Sequence, residues 1–184
     1  MGNKLIYEFS GKKTDGDASL NNLLGGKGAN LAEMSKLGIQ VPPGFTITTE
    51  VCSYFSENKK LPDGLKEEII KYVSNLESLS QKSFGNNESP LLLSVRSGGM
   101  ISMPGMMDSI LNIGLNDDNI QSLAEAFNDE RFALDSYRRL IQMYSNVVLG
   151  VEMDRFEAVV ANKKRMDNVV SDTDFNVEQL NWII

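Results

Sequence analysis

The sequence predicts an α/β lobe over residues 1–115, followed by a helical subdomain over residues 116–184. Three observations carry this reading. Runs of strand length, rich in β-branched residues, alternate with amphipathic helical stretches only in the first part. After Gly114 every periodic segment is helical. The 184 residues are 41% hydrophobic and 23% charged, which allows one domain of ordinary size or two small lobes around a real core.

Residues 4–9 alternate in part through Leu5, Ile6, Tyr7 and Phe9 and read as a short strand. Residues 11–22 are polar and turn-rich. Leu23-Leu24-Gly25-Gly26-Lys27-Gly28 leads into a helical pattern over 29–37, with Leu31 and Met34 on one face and Gly38 as its stop. Pro42-Pro43-Gly44 punctuates the chain. Residues 45–49 then read as a strand, and Thr49 as the cap of a short helix reaching Phe55.

Residues 63–79 place Leu65, Ile69, Ile70, Val73, Leu76 and Leu79 at helical period. Residues 91–95 form a continuous apolar run, as expected for a buried central strand. Helical patterns cover 119–127, 130–149 and 154–164. In the last residues, Leu180, Ile183 and Ile184 are spaced like the buried stripe of a helix that has just begun. This fits a short docked helix or an excised piece of a longer protein, and the expectation is a helical subdomain truncated at its C-terminus.

Composition excludes whole classes of chemistry. There is no histidine, so no Ser-His-Asp or Cys-His machinery, no His metal ligand and no phosphohistidine carrier lies within this chain. A single cysteine, Cys52, leaves no internal disulfide or Cys-cluster zinc site and fits a reducing compartment. With 18 Lys+Arg against 25 Asp+Glu the net charge is −7, which argues against a broad nucleic-acid footprint while leaving room for a local phosphate pocket. No apolar stretch has membrane-spanning length, and the first residues are too short and too charged for a signal peptide, so a cytoplasmic protein without membrane partners is expected.

Three motifs carry candidate chemistry. Gly25-Gly26-Lys27-Gly28 opens a helix, where glycines allow close backbone approach, N–H groups attract anions and Lys27 adds a cation. It lacks Walker A spacing, and taken alone it reads first as a Gly-rich turn with a solvated lysine. In Ser94-Val95-Arg96-Ser97-Gly98-Gly99 an arginine closes a strand and opens a glycine loop. Such a guanidinium clamps a phosphate through two parallel hydrogen bonds, or pairs with a surface carboxylate. Met100-Ile101-Ser102-Met103-Pro104-Gly105-Met106-Met107-Asp108 fits neither a strand nor an amphipathic helix. It reads as a Met-rich turn on the core or as a ligand-covering loop with donors from Ser102 and the backbone near Gly105. A lesser feature, Asp135-Ser136-Tyr137-Arg138-Arg139, has paired arginines that fit a salt-bridged helix face, with Glu130, Asp135 and Glu152 as available partners.

Together these segments resemble pyruvate, phosphate dikinase. The resemblance rests on residues 22–34, on Pro42-Pro43-Gly44-Phe45-Thr46-Ile47-Thr48-Thr49, on Ser94-Val95-Arg96-Ser97-Gly98, on Ser102-Met103-Pro104-Gly105-Met106-Met107-Asp108 and on residues 135–139. It runs in order from about Lys4 to Phe156 and fades afterwards. Phosphoenolpyruvate synthase shares the Gly-Gly-Lys-Gly and Val-Arg-Ser elements, but the Met-Pro-Gly-Met-Met-Asp run favours the dikinase. One departure stands out: Gly99-Met100-Ile101 replaces the family's Ala-Arg-Ala, so a second arginine is lost to Met100.

The resemblance implies a phosphotransferase that converts ATP, phosphate and pyruvate to AMP, pyrophosphate and phosphoenolpyruvate through a phosphohistidine. The matching motifs belong to the first lobe of its ATP-grasp nucleotide-binding domain. It further implies nucleotide-phosphate contacts from Gly25, Gly26, Lys27 and Gly28, a catalytic role for Lys27 and Arg96, and a loop from Ser102 through Met103 and Gly105 to Met106 over the terminal phosphates. The implied cofactors are ATP and Mg2+, with the magnesium carboxylates outside this chain and no metal residue assigned within it. The implied partners are ATP or AMP, phosphate, and the phosphohistidine and pyruvate-binding domains. A chain of this extent is expected to be catalytically incomplete. Two other readings stay open: a stand-alone, non-catalytic nucleotide- or protein-binding module, and a piece of a phosphoenolpyruvate synthase-like enzyme. Reading the coding sequence past Ile184 separates the first, and phosphate dependence of the parent activity separates the second.

Overall fold

The computed structural model describes residues 4–11, 13–98 and 108–184. They form two compact units. One holds the described residues up to Gln81 together with Ser97 and Gly98, and the other holds Lys82–Arg96 and Asp108–Ile184. Helices and small sheets occur in both, which is compatible with the α/β class.

In the first unit β1 (Ile6–Phe9) and β2 (Gly44–Ile47) pair antiparallel, with Ile6 opposite Ile47 and Phe9 opposite Gly44. The Phe9 ring lies so close over Gly44 that a Cβ there would sit 2.6 Å from it, which explains a glycine inside this short strand. Its described residues also include the α-helices α1 (Asn21–Lys36), α2 (Thr49–Asn58) and α3 (Leu65–Ser80). Its core gathers Ile6, Val51 and Leu65, with Leu5, Phe45, Ile69 and Tyr72 packed around them. The rings of Phe45 and Tyr72 lie 5.4 Å apart.

The face that α1 buries differs from the expected one. Met34 is exposed, and the covered positions are Gly28, Ala29, Ala32 and Ser35. Small side chains let the helix lie close to its neighbours, and the buried Ser35 hydroxyl accepts from the Gly11 N–H at 3.0 Å. Thr49 is also not a helix cap. It is the first residue of α2, and Thr48 precedes the helix without a side-chain cap bond.

In the second unit β3 (Leu93–Arg96) and β4 (Ser109–Ile113) form a two-stranded antiparallel sheet whose register shifts between Leu93 and Val95. The expected buried central strand is therefore corrected. Burial belongs to Leu91, just before the strand, while Ser94, Val95 and Arg96 are exposed. The hairpin belongs with the helices α4 (Ile120–Phe127), α5 (Glu130–Val147), α6 (Met153–Asp167) and α7 (Val177–Ile183).

Two clusters sit on α5. Ala133 and Leu140 pack with Ile110, Leu115, Leu123 and Ala124, while Leu134 packs with Val160, Phe175 and Leu180. The apolar stretch at 180–184 is the end of α7, which starts with an Asn176–Gln179 capping box and wholly buries Leu180. No helix among the described residues is long and apolar enough to cross a membrane.

Candidate phosphate site

Gly25 has φ 68° and ψ 163°, a conformation that breaks α1 and that a residue with a Cβ rarely adopts. The break separates a leading turn, residues 21–24, from the main helix, residues 26–36. The main helix thus begins at Gly26-Lys27-Gly28, and the first N–H groups of a helix in general lack intrahelical acceptors. Those donors and the helix dipole favour an anion at that end. Lys27 is half-buried and forms no ion pair with the described residues.

The glycines of this turn are there for different reasons. Gly28 is set by packing: a Cβ would lie 2.7 Å from Thr46 Cγ2 and 2.8 Å from Thr46 Oγ1 on β2. At Gly26 a Cβ would meet nothing among the described residues closer than Asn21 Oδ1 at 3.5 Å. On the other side of the break, the Thr49 hydroxyl donates to the Asn22 carbonyl oxygen at 2.7 Å.

The Arg96–Gly98 motif divides between the two units. Gly98 belongs to the first unit, where a Cβ on it would lie 3.9 Å from the Leu24 carbonyl oxygen, so two glycine-bearing stretches distant in sequence run side by side. Arg96 ends β3 in the second unit opposite Ser109, exposed and without an ion pair among the described residues. Ser102, Met103, Gly105 and Met106, like Met100, lie outside the described residues.

The paired arginines of α5 are taken up by carboxylates. Arg138 is buried and donates to Asp135 Oδ1 from Nε at 3.0 Å and Nη2 at 2.7 Å, and to Gln142 Oε1 from Nη1 at 2.8 Å. Arg139 reaches Asp135 Oδ2 at 2.9 Å. Asp172 stands 3.6 Å from Arg138 and 2.6 Å from Lys164. Lys164 and the two arginines outweigh burial and hold its carboxyl below the usual range. Glu130 and Glu152 do not pair with either arginine.

Two other features bear on ligand chemistry. A groove in the first unit is lined by Glu8, Glu67, Glu68, Lys71 and Tyr72, a charge balance that disfavours phosphate. Among the described residues no three or more Cys, Asp or Glu side chains gather into a metal cage. Sequence reasoning missed Thr46 and Thr49 as the frame of the Gly25 turn. The close spacing of Pro42-Pro43-Gly44 and Thr48-Thr49 marks a corner but does not say what the corner touches.

The family described as "Pyruvate phosphate dikinase, AMP/ATP-binding domain" matches residues 21–85, a span that includes the Gly25 turn and the Thr46–Thr49 corner and stops before Arg96. Pyruvate, phosphate dikinase of Rickettsia conorii is 48% identical over 182 residues, covering 98% of this chain and 21% of the relative. That of Rickettsia prowazekii is 50% identical over 184 residues, covering 99% and 21%. That of Clostridium symbiosum is 48% identical over 178 residues, covering 96% and 20%. The chain therefore spans about one fifth of the length of these curated relatives.

Proposed function

From the premise that the chain matches the N-terminal region of pyruvate, phosphate dikinases over nearly its whole length, we propose that it supplies the first, nucleotide-holding part of an ATP-grasp domain in such an enzyme. The observation that carries the proposal is the break at Gly25, which starts a helix beside a lysine that has no carboxylate partner among the described residues. On this reading the Gly26–Gly28 N–H groups donate to nucleotide phosphate oxygens. The Lys27 ammonium neutralises part of their charge.

Arg96 is a second proposed phosphate contact, its planar fork suited to two oxygens of one phosphoryl group. Ser102, Met103, Gly105 and Met106 are proposed to cover the terminal phosphates. Such a site assists phosphoryl transfer by positioning and charge neutralisation, since that reaction demands little covalent chemistry of the protein. The products of the whole reaction are AMP, pyrophosphate and phosphoenolpyruvate. Mg2+ supplies charge neutralisation at the phosphates when bound, with ligands outside this chain. The isolated chain is catalytically incomplete on this reading, having no histidine to carry the phosphoryl group, and the enzyme is cytoplasmic.

The test is an ATP titration of the isotope-labelled chain, followed by NMR. The Gly26, Lys27 and Gly28 amide signals are expected to move with ATP and not with an equal concentration of sodium chloride, and Lys27→Ala is expected to abolish the movement. Amides of this turn that stay fixed at millimolar ATP, in the chain and in the full-length protein alike, refute the proposal.

A further inference from the structure

The Gly25 turn is held from both sides by one strand–helix corner. Ahead of the break, the Asn22 carbonyl accepts the Thr49 hydroxyl at 2.7 Å, a bond spanning 27 residues. Behind the break, Gly28 lies flush against the Thr46 side chain. Thr46 and Thr49 are three residues apart, at the end of β2 and the start of α2. The corner is itself anchored: the Thr48 N–H donates to the Leu5 carbonyl at 3.0 Å, and Val51, two residues past Thr49, is part of the buried core with Ile6 and Leu65.

The two anchors differ in kind. The Gly28 contact is steric and sets how closely the main helix approaches β2. The Thr49 bond is directional and fixes the leading turn, which has no continuous helix to hold it because Gly25 interrupts the chain. Residues 25–27 are suspended between them.

We propose that Thr49 is a positioning residue for nucleotide phosphate: its hydroxyl, without touching the ligand, fixes the leading turn and thereby the aim of the Gly26 and Lys27 N–H groups and of the Lys27 side chain. The inference rests on the reading of Lys27 as a phosphate contact. Misaimed donors weaken phosphate binding without altering chemistry elsewhere, since hydrogen bonds fall off steeply with angle.

The experiment compares Thr49→Val, Thr49→Ser and Lys27→Ala in the full-length dikinase that carries this chain. Two readouts are taken for each: the KM for ATP, and the exchange of label between pyruvate and phosphoenolpyruvate. Thr49→Val is expected to raise the KM for ATP roughly fivefold, the scale of one lost hydrogen bond, with pyruvate exchange unchanged. Thr49→Ser keeps the donor and is expected to stay within about twofold of the parent. Should Thr49→Val not fold, Thr49→Cys, with a weak donor of similar size, is expected to raise the KM by a smaller factor. A KM unmoved by Thr49→Val, or by Thr49→Cys in its place, while Lys27→Ala raises it, overturns the positioning role alone. Equal loss of both readouts in Thr49→Val also overturns it, because that marks general destabilisation. A KM for ATP unmoved by Lys27→Ala overturns the phosphate reading and the positioning role with it.

Discussion

Arg138 and Asp135 stand one turn apart on α5, and the guanidinium spends two of its donors, Nε at 3.0 Å and Nη2 at 2.7 Å, on a single oxygen of that carboxylate. Both side chains are largely withdrawn from solvent, at 5% and 14% exposure. A buried charge is costly unless paired, so the two residues are not equivalent in what they leave behind. Removing Asp135 leaves Arg138 with Gln142 and the half-exposed Asp172 at 3.6 Å, whereas removing Arg138 leaves Asp135 paired to the exposed Arg139 at 2.9 Å. Asp135→Ala is expected to destabilise the chain by about 3 kcal/mol and Arg138→Met by clearly less. Arg139→Ala is expected to cost about 0.5 kcal/mol. Urea unfolding of the three variants checks the order, and an Arg139→Ala loss equal to that of Asp135→Ala contradicts it.

Gly28 and Gly26 predict opposite responses to the same change. Replacing a helical glycine by alanine ordinarily gains up to about 1 kcal/mol, and Gly26→Ala has the space to realise that gain. Gly28→Ala drives a methyl group into Thr46 at 2.7 Å and is expected to cost about 1–3 kcal/mol. Thr46→Ala removes both clashing atoms, so the double variant is expected to recover most of the loss. Thermal unfolding of the four proteins forms a cycle whose coupling must be favourable if packing sets Gly28.

Thr48 is 2% exposed, and its hydroxyl oxygen has no hydrogen-bond partner among the described residues. Its backbone is satisfied, with the N–H on Leu5 and the carbonyl accepting from Val51. An unpaired buried hydroxyl costs free energy that an isosteric methyl does not. Thr48→Val is therefore expected to stabilise the protein by about 1 kcal/mol, measured as a rise in the urea midpoint at constant m-value. A loss of stability shows that the hydroxyl has a partner in solution.

Periodicity carried most of the fold. The apolar spacing of α3 and α5 and the β-branched run of β2 were readable because packing acts on one face at a time. Two failures have local causes. β4 has no alternation to read, because Asn112 adopts φ 60° inside it and the pairing with β3 is irregular. β3 looked central because Leu91 and Leu92 adjoin it, yet Val95 is 54% exposed. At the Gly25 turn the glycines and Lys27 announce themselves in sequence. Thr49 does not, because a side chain bonding a carbonyl 27 residues away leaves no pattern.

The Tyr137 hydroxyl donates to Asp117 Oδ1 at 2.8 Å, and its titration is expected to be displaced. Burial raises its pKa first, and the Asp117 acceptor and charge add to it, bringing it from 10.0 to about 12. The folded state thus favours the protonated phenol. Its contribution to stability is fully present below pH 10 and is lost as the pH rises through 10 toward about 12. The difference in tyrosinate absorbance between the native chain and Tyr137→Phe isolates this group among the five tyrosines. Asp117→Ala is expected to lower the midpoint while leaving it above the ordinary value, because burial remains. A midpoint unmoved by Asp117→Ala rules out the hydrogen bond as a cause. Tyr137→Phe, which removes the bond outright, is expected to cost about 1 kcal/mol at neutral pH and progressively less in alkali.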